Sequence, residues 1–215
     1  MILRIGRQIG TVALNSLFLT TQLATTPFDW WLSRRIGLRV HIPKNFDVPR
    51  GTLVLANHRS LLDAFLVIYH LGSQNWYTSV PARYPMTPVY ARRPVVGRAL
   101  KMLGAYDIGK TSIERAKRLL FTRDLLDQKH TVLLFPEGRI VDDEGVIVEG
   151  FQQGAKMLFA HDYPTVFVHL SGFTTDSFLH PESVTDAQMR YSEVIRGDAA
   201  TKLERLRQFF SEDTP

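Results

Sequence analysis

The stretch Thr52-Leu53-Val54-Leu55-Ala56-Asn57-His58-Arg59-Ser60-Leu61-Leu62-Asp63-Ala64-Phe65-Leu66-Val67 decides how this chain is read. Residues 52–56 are an apolar run with the look of a short strand, and residues 61–71 read as an apolar helix. Asn57 to Ser60 form a polar turn between them. Strand, turn and helix in succession build α/β sheets, and such sheets tend to carry their sites where strands end.

The alternation continues outward. Residues 39–42, 76–80, 106–108 and 165–170 read as strands, and 131–135 is the most strand-like run of all. Residues 94–103 read as a helix with Pro94 in its first turn. Helices are also expected over 111–126, with Ser112 and Arg115 to Arg118 on the polar side, over 151–160, and over 197–212 with Asp198 as N-cap. The predicted fold is therefore α/β, a central mostly β sheet flanked by helices. No internal repeat or low-complexity linker interrupts it.

The 215 residues suit one domain, or one domain plus a short appendage. A hydrophobic content of 45%, a charged content of 22% and a mean hydropathy of −0.07 argue against disorder over most of the chain. The absence of cysteine excludes disulfides, a thiolate nucleophile and thiolate-held zinc or iron–sulfur groups. Net charge is +5, and Arg outnumbers Lys 19 to 7. Guanidinium groups grip phosphate bidentately, so phosphate-bearing partners are indicated. Ten Lys and Arg between Arg83 and Arg123 face only Asp107 and Glu114. They form either a solvated basic face or an electropositive wall beside a phosphate site or a membrane.

Residues 8–28 carry no charge, a 21-residue window long enough to span a bilayer. Asn15, Ser16, Gln22 and five Thr dilute it, which argues against spanning. At helical period Ile2, Ile5, Ile9, Val12, Leu19 and Leu23 share one face, with Arg4, Arg7, Asn15 and Gln22 opposite. Such a helix lies in the membrane interface, unless it simply packs on the domain core. Pro27 ends or restarts it. Phe28, Trp30, Trp31, Arg34, Arg35 and Arg39 then suit a headgroup layer. The expected organisation is residues 1–37 as membrane-interface helices and 38–215 as the main domain.

Two constellations carry candidate chemistry. His58 and Asp63 are five residues apart, across the predicted start of a helix. A His in the preceding turn can fold back to meet an Asp in the first turn. The carboxylate then fixes the imidazole tautomer, leaving the other nitrogen to take a proton from a hydroxyl. Asp63 also suits a variant capping box with Ser60, a purely structural role. The second constellation, Phe135-Pro136-Glu137-Gly138-Arg139, ends the 131–135 strand with a carboxylate, a flexible backbone and a guanidinium. It suits a polyol hydroxyl and a phosphate, or a plain turn with Arg139 paired to Asp142, Asp143 or Glu144.

Together, N-H-x-S-x-x-D and, 77 residues after the His, F-P-E-G resemble the glycerolipid (1-acylglycerol-3-phosphate) acyltransferase family. Residues 104–110 resemble that family's second motif, with Lys110 where an Arg is usual, and 164–170 occupy the place of its fourth. The third motif usually reads F-P-E-G-x-R, whereas Arg139 follows Gly138 directly. The spelling F-P-E-G-R-I is similar to 2-acylglycerophosphoethanolamine acyltransferases. The resemblance implies an acyltransferase fold and O-acyl transfer to the free hydroxyl of a lysophospholipid. The acceptor it favours is 1-acylglycerol-3-phosphate, giving phosphatidic acid. Lysophosphatidylethanolamine, or a non-catalytic lipid-binding role on the same fold, is the alternative. It implies His58 as general base oriented by Asp63, and acceptor binding by Lys110, Glu137, Gly138 and Arg139. It also implies acyl-CoA or acyl-ACP as co-substrate, with no bound cofactor or metal, and no nucleic-acid partner. A cytoplasmic membrane face, held monotopically or peripherally, is where such partners meet.

Other templates fit less well. Residues 104–111 match G-x4-G-K-T, but a helix, not a strand, is expected before them, and Asp107 would repel phosphate. There is no G-x-S-x-G elbow. His169 lies in an apolar strand, as a core residue would.

Overall fold

The computed structural model describes residues 16–79, 81–141, 153–184 and 186–211. Its elements are α1 (16–24), α2 (Thr26–Arg35), β1 (Arg39–His41), β2 (Leu53–Ala56), α3 (Asp63–Ser79), β3 (Ala82–Met86), α4 (Pro88–Ala91), α5 (Val96–Met102), β4 (Ala105–Asp107), α6 (Ser112–Asp127), β5 (Thr131–Leu134), α7 (Gln153–Phe159), β6 (Thr165–Ser171), β7 (Gln188–Tyr191) and α8 (Ala199–Ser211). Seven strands form one sheet in the order β1-β7-β6-β2-β5-β3-β4. Only β6 and β7 pair antiparallel; the other neighbours are parallel.

The central strands are buried on both faces, and their period of two feeds two cores. Val54, Ala56, Leu133, Val166 and Val168 pack with Leu32 of α2 and Leu66, Val67 and Leu71 of α3. Leu53, Leu55, Val132 and Phe167 pack instead with Leu125 and Leu126 of α6, Leu158 and Phe159 of α7, and Leu206 and Phe209 of α8. Each Val, Leu and Phe among them contributes about 1.5–3 kcal/mol by leaving water, and the sheet sits between two helical layers.

This topology sets up the site. β2 and β5 are parallel neighbours with Leu53 opposite Val132 and Leu55 opposite Leu134. Their C-terminal ends therefore lie side by side, which brings together His58 and Glu137 from far apart in sequence. β3 pairs with β5 only at Ala82 and Arg83, while its pairing with β4 continues to Met86. Beyond Arg83 the two strands part, and Pro85, which has no N–H for a ladder, falls in that gap.

The strand pattern needs one correction and one addition. The stretch 76–80 is not a strand, for α3 runs on to Ser79 and the strand is Ala82–Met86. The β-branched and aromatic residues before Ala82 mimic a strand, whereas Ala-Arg-Tyr-Pro-Met has no strand pattern and is held by its neighbours β5 and β4. β7 was not foreseen in the sequence; its alternating burial follows from pairing with β6 and β1. Gln22, opposite the apolar face of its helix, turns into the domain. It is 7% exposed, its Nε2 donates to the carbonyls of Ala82 and Leu103, and its Oε1 accepts from the Ala82 N–H.

Pro27 restarts a helix, as expected, in the first turn of α2. Ile2, Arg4, Ile5, Arg7, Ile9, Val12, Asn15 and the acidic residues 142–144 lie outside the described residues. Among those described, no helix is long and apolar enough to cross a membrane. Residues 104–111 form no phosphate-cradling loop, since β4 occupies their first half and the Asp107 carboxylate accepts from the Gly109 N–H at 2.7 Å. His169 is buried on β6, edge-on to the Phe210 ring.

Candidate active site

The turn from β2 into α3 is tied down at every step. Asn57 locks the end of β2 to β6: its Nδ2 donates to the Leu170 carbonyl at 2.8 Å and its Oδ1 accepts from the Leu170 N–H at 2.7 Å. Asp63, 0% exposed, opens α3. Its Oδ2 accepts from the backbone N–H of Arg59 at 2.6 Å and of Ser60 at 2.8 Å, and its Oδ1 accepts from the Ser60 hydroxyl. The same Oδ2 lies 2.9 Å from His58 Nδ1. Asp63 thus accepts from the backbone at the helix start and contacts the imidazole at the same time. Nδ1 faces a carboxylate, so Nε2 is the ring nitrogen left for chemistry.

The β5 motif closes over this turn. The His58 ring stacks on Phe135 with centroids 4.2 Å apart. Glu137 Oε2 accepts from the His58 backbone N–H at 2.9 Å, and burial raises the Glu137 pKa above the usual carboxylate range. The Val141 N–H donates to the His58 carbonyl at 2.8 Å, and Arg59 Nη1 donates to the Val141 carbonyl at 3.1 Å. Gly138 turns the chain at φ 68°, in the left-handed region that favours glycine. Its N–H donates to the Phe135 carbonyl at 3.0 Å, so this amide serves the turn.

Two cavities meet at Phe135 and Gly138, where β3 and β5 part. One, of about 310 Å³, is an apolar groove with His58, Phe65, Tyr84, Met86 and Leu100 in its walls. The other, of about 470 Å³, is bounded by Leu134 and Pro136 on one side and by Arg115 and Arg118 of α6 on the other. An imidazole at the rim of an apolar groove, beside a second cavity with guanidinium groups, suits an amphiphile with an acyl chain and an anionic head.

Not every predicted residue converges on this point. His58, Asp63 and Glu137 are joined by the hydrogen bonds above, and Gly138 lines both cavities. Arg139 and Lys110 are exposed, and neither is in the wall of either cavity. The Lys110 N–H donates to the Glu114 carboxylate, and Thr111 and Glu114 complete a capping box at the start of α6. Arg115 and Arg118 were visible in the sequence as part of the basic block and on the polar side of the 111–126 helix. Ser60, which holds Asp63, was legible as the Ser of N-H-x-S-x-x-D.

Comparison with known proteins adds to this geometry. The family model described as Acyltransferase matches residues 37–169, more than half of the chain. Among solved structures, the chain is similar to the crystal structure of the 1-acyl-sn-glycerophosphate (LPA) acyltransferase, PlsC, from Thermotoga maritima. The TM-score is 0.59 at 16% identity, over 96% of this chain and 95% of that one. That likeness is one of fold, and it agrees with the α/β architecture expected from the sequence. No curated protein sequence matches.

Proposed function

The chain belongs to the Acyltransferase family, and from that premise we propose that it moves an acyl group from a thioester to the free hydroxyl of a lysophospholipid. The acceptor best supported is 1-acylglycerol-3-phosphate, with phosphatidic acid as product. The observation that carries this reading is the 2.9 Å contact of His58 Nδ1 with the fully buried Asp63, at the edge of an apolar groove.

His58 Nε2 takes the proton of the acceptor hydroxyl as its oxygen attacks the thioester carbonyl. Asp63 holds the ring and stabilises the imidazolium that forms. Collapse of the tetrahedral intermediate leaves a C–O ester, breaks the C–S bond, and returns the proton from His58 to the departing sulfur. No acyl-enzyme is needed. Glu137 holds acceptor hydroxyls near His58, with Gly138 lining the space they occupy. Lys110 and Arg139 attract the acceptor phosphate, with Arg115 and Arg118 in the adjoining wall. Acyl-CoA or acyl-ACP supplies the chain.

Residues 1–37 are the proposed membrane-docking part and 38–215 the acyltransferase domain. Leu17, Leu23, Phe28, Trp30 and Trp31 are exposed, and Arg34 and Arg35 lie over the rings of Trp30 and Trp31. Aromatic rings beside guanidinium groups suit a headgroup layer. Because acyl thioesters are cytosolic, the face docked is the cytoplasmic one.

The test is mass spectrometry of products from purified protein. It is given 1-acylglycerol-3-phosphate and lysophosphatidylethanolamine together, with acyl-CoA and acyl-ACP in separate reactions. Phosphatidic acid as the main product supports the reading. Phosphatidylethanolamine as the main product would reassign the acceptor, and no product with either donor would refute transfer.

A further inference from the structure

The hairpin of α4 and α5 stands at the mouths of both cavities. Thr87 and Ile108 line both, and Val96 and Leu100 line the groove at His58. Gly97 lets the two helices close on each other, since a Cβ there would lie 2.5 Å from the Ala91 carbonyl oxygen. Leu100 faces the groove, so at helical period Val95, Arg98 and Met102 share the opposite side of α5. Val95 is 78% exposed and Met102 46%. Val89 on α4 and Ile113 on α6 are exposed as well. Single apolar residues on a surface need no explanation, but several gathered around the openings of apolar cavities mark an interaction site.

The charge around them is one-sided. From Thr87 to Arg118 eight Lys and Arg face only Asp107 and Glu114. Asp107 accepts from the Gly109 N–H and pairs with Arg92 at 3.7 Å, and Glu114 accepts from the N–H groups of Lys110 and Thr111. Arg98 and Lys101 are exposed beside the outward apolar side of α5. A helix with apolar residues turned outward and cations beside them suits an anionic lipid interface.

α1 continues this surface. The Thr21 hydroxyl donates to the Met102 carbonyl, and Gln22 Nε2 donates to the Leu103 carbonyl. Leu17, one turn before Thr21 on the same side of α1, is exposed. Exposed apolar side chains therefore run from α1 across Met102 to Val95 and the rim of the cavities. An acidic protein would meet the cations but not the apolar surface shared with α1, whereas an anionic bilayer meets both. We propose that the α4–α5 hairpin is a second membrane contact. Val95 and Met102 enter the boundary between headgroups and acyl chains, and Arg98 and Lys101 bind headgroup phosphates. Both cavities then open onto the bilayer, and a lysophospholipid reaches His58 without leaving the lipid. That last consequence rests on the acyl-transfer reading given above.

The chain has no cysteine, so Val95→Cys carries a single environment-sensitive fluorophore on the full-length protein. With vesicles of phosphatidylcholine and phosphatidylglycerol its emission should shift to the blue and be quenched by nitroxide-labelled lipid. The same label at Glu204→Cys, on α8, should stay aqueous. Arg98→Gln with Lys101→Gln should weaken binding to those vesicles by about 10- to 30-fold, each near-surface cation being worth about fivefold. The same variant should raise KM for vesicle-borne 1-acylglycerol-3-phosphate while leaving kcat/KM for a short-chain, water-soluble analogue unchanged. The Val95 label decides the matter even if the charge variant does not fold. A Val95 label that stays aqueous in the presence of vesicles, or shifts no more than the Glu204 label, would overturn the inference and leave the proposed function standing. A shift produced by acyl carrier protein and not by vesicles would overturn it in favour of a protein partner. A shifted label without any acyl product would support the membrane contact and refute the proposed function.

Discussion

Two buried carboxylates in this protein are treated in opposite ways. Asp63 accepts from two backbone N–H groups and a hydroxyl and faces the His58 ring. Asp29, in the first turn of α2, has one oxygen with no hydrogen-bond partner among the described residues. The first is fixed by its surroundings, so it can fix something else, namely the orientation of an imidazole. The second has that oxygen unpartnered, and burial raises its pKa to about 7 against the opposing effect of a hydrogen bond with the Thr25 side chain. A carboxylate saturated with hydrogen bonds belongs to the scaffold of a reaction. One held by burial with few donors is instead a group whose protonation changes inside the fold.

The largest effect that would sharpen this contrast comes from Asp63. In Asp63→Asn, acyl transfer should fall by about 10²-fold or more, because an amide nitrogen cannot accept from the turn and the imidazole loses its guide. Asp63→Ala should also destabilise the fold by about 1–3 kcal/mol through buried donors left unmet. Thioester consumption and urea midpoints measure the two effects. A fully active, fully stable Asp63→Ala would erase the distinction between the carboxylates.

The next effect is on stability against pH. Asp29 keeps its proton up to about pH 7 when folded and ordinarily loses it near 3.8. The folded state therefore binds more protons in that window, and Asp29 makes stability fall as pH rises from 4 to 7. His70, whose Nε2 is 3.0 Å from Ser33 Oγ, is lowered by burial to about 4 from 6.5. It opposes Asp29, making stability rise with pH between 4 and 6.5. Asp29→Asn should leave the rising slope of His70, and His70→Gln the falling slope of Asp29. Denaturant midpoints across that range read both. Parallel slopes in wild type and Asp29→Asn would show that Asp29 is not held as described.

A smaller change concerns the outer side of the same helices. Leu23→Ser with Trp30→Ser should reduce flotation with anionic vesicles while leaving the melting temperature near that of the parent. Deletion of residues 1–37 is a poorer test, because Leu32 and Ile36 belong to the core and Gln22 is bonded to Ala82 and Leu103. Undiminished flotation of the double variant would move the docking surface elsewhere. The smallest effect is expected at Lys110, exposed and outside both regions compared. Lys110→Ala should raise KM for the phosphate-bearing acceptor by about two- to fivefold with kcat unchanged, the scale of an exposed ionic contact.

Much of the site was legible before any coordinates. The apolar run ending at Ala56 and the spacing of His58 and Asp63 announce a strand, a turn and an oriented imidazole, because these are local relations. The 131–135 run ending in Pro136-Glu137 announces a second strand end. That the two ends lie side by side depends on β5 pairing with β2, which no local pattern encodes. β3 escaped because tertiary pairing, not propensity, makes Ala82–Met86 a strand. Gln22 and Asp29 escaped for a related reason. Helical period shows which residues share a face, but it does not say which face turns towards the core. Gln22 turns inward because two main-chain carbonyls and a main-chain N–H meet its amide there.

The most direct test of the account is the rate of acyl-thioester consumption with 1-acylglycerol-3-phosphate by wild-type protein and by His58→Ala of matched thermal stability. Removal of the base should lower the rate by about 10²–10⁴-fold, with no ester product visible by mass spectrometry on the wild-type timescale. Near-wild-type turnover by the folded variant would contradict the assignment of His58 and, with it, the mechanism built on the Asp63 contact.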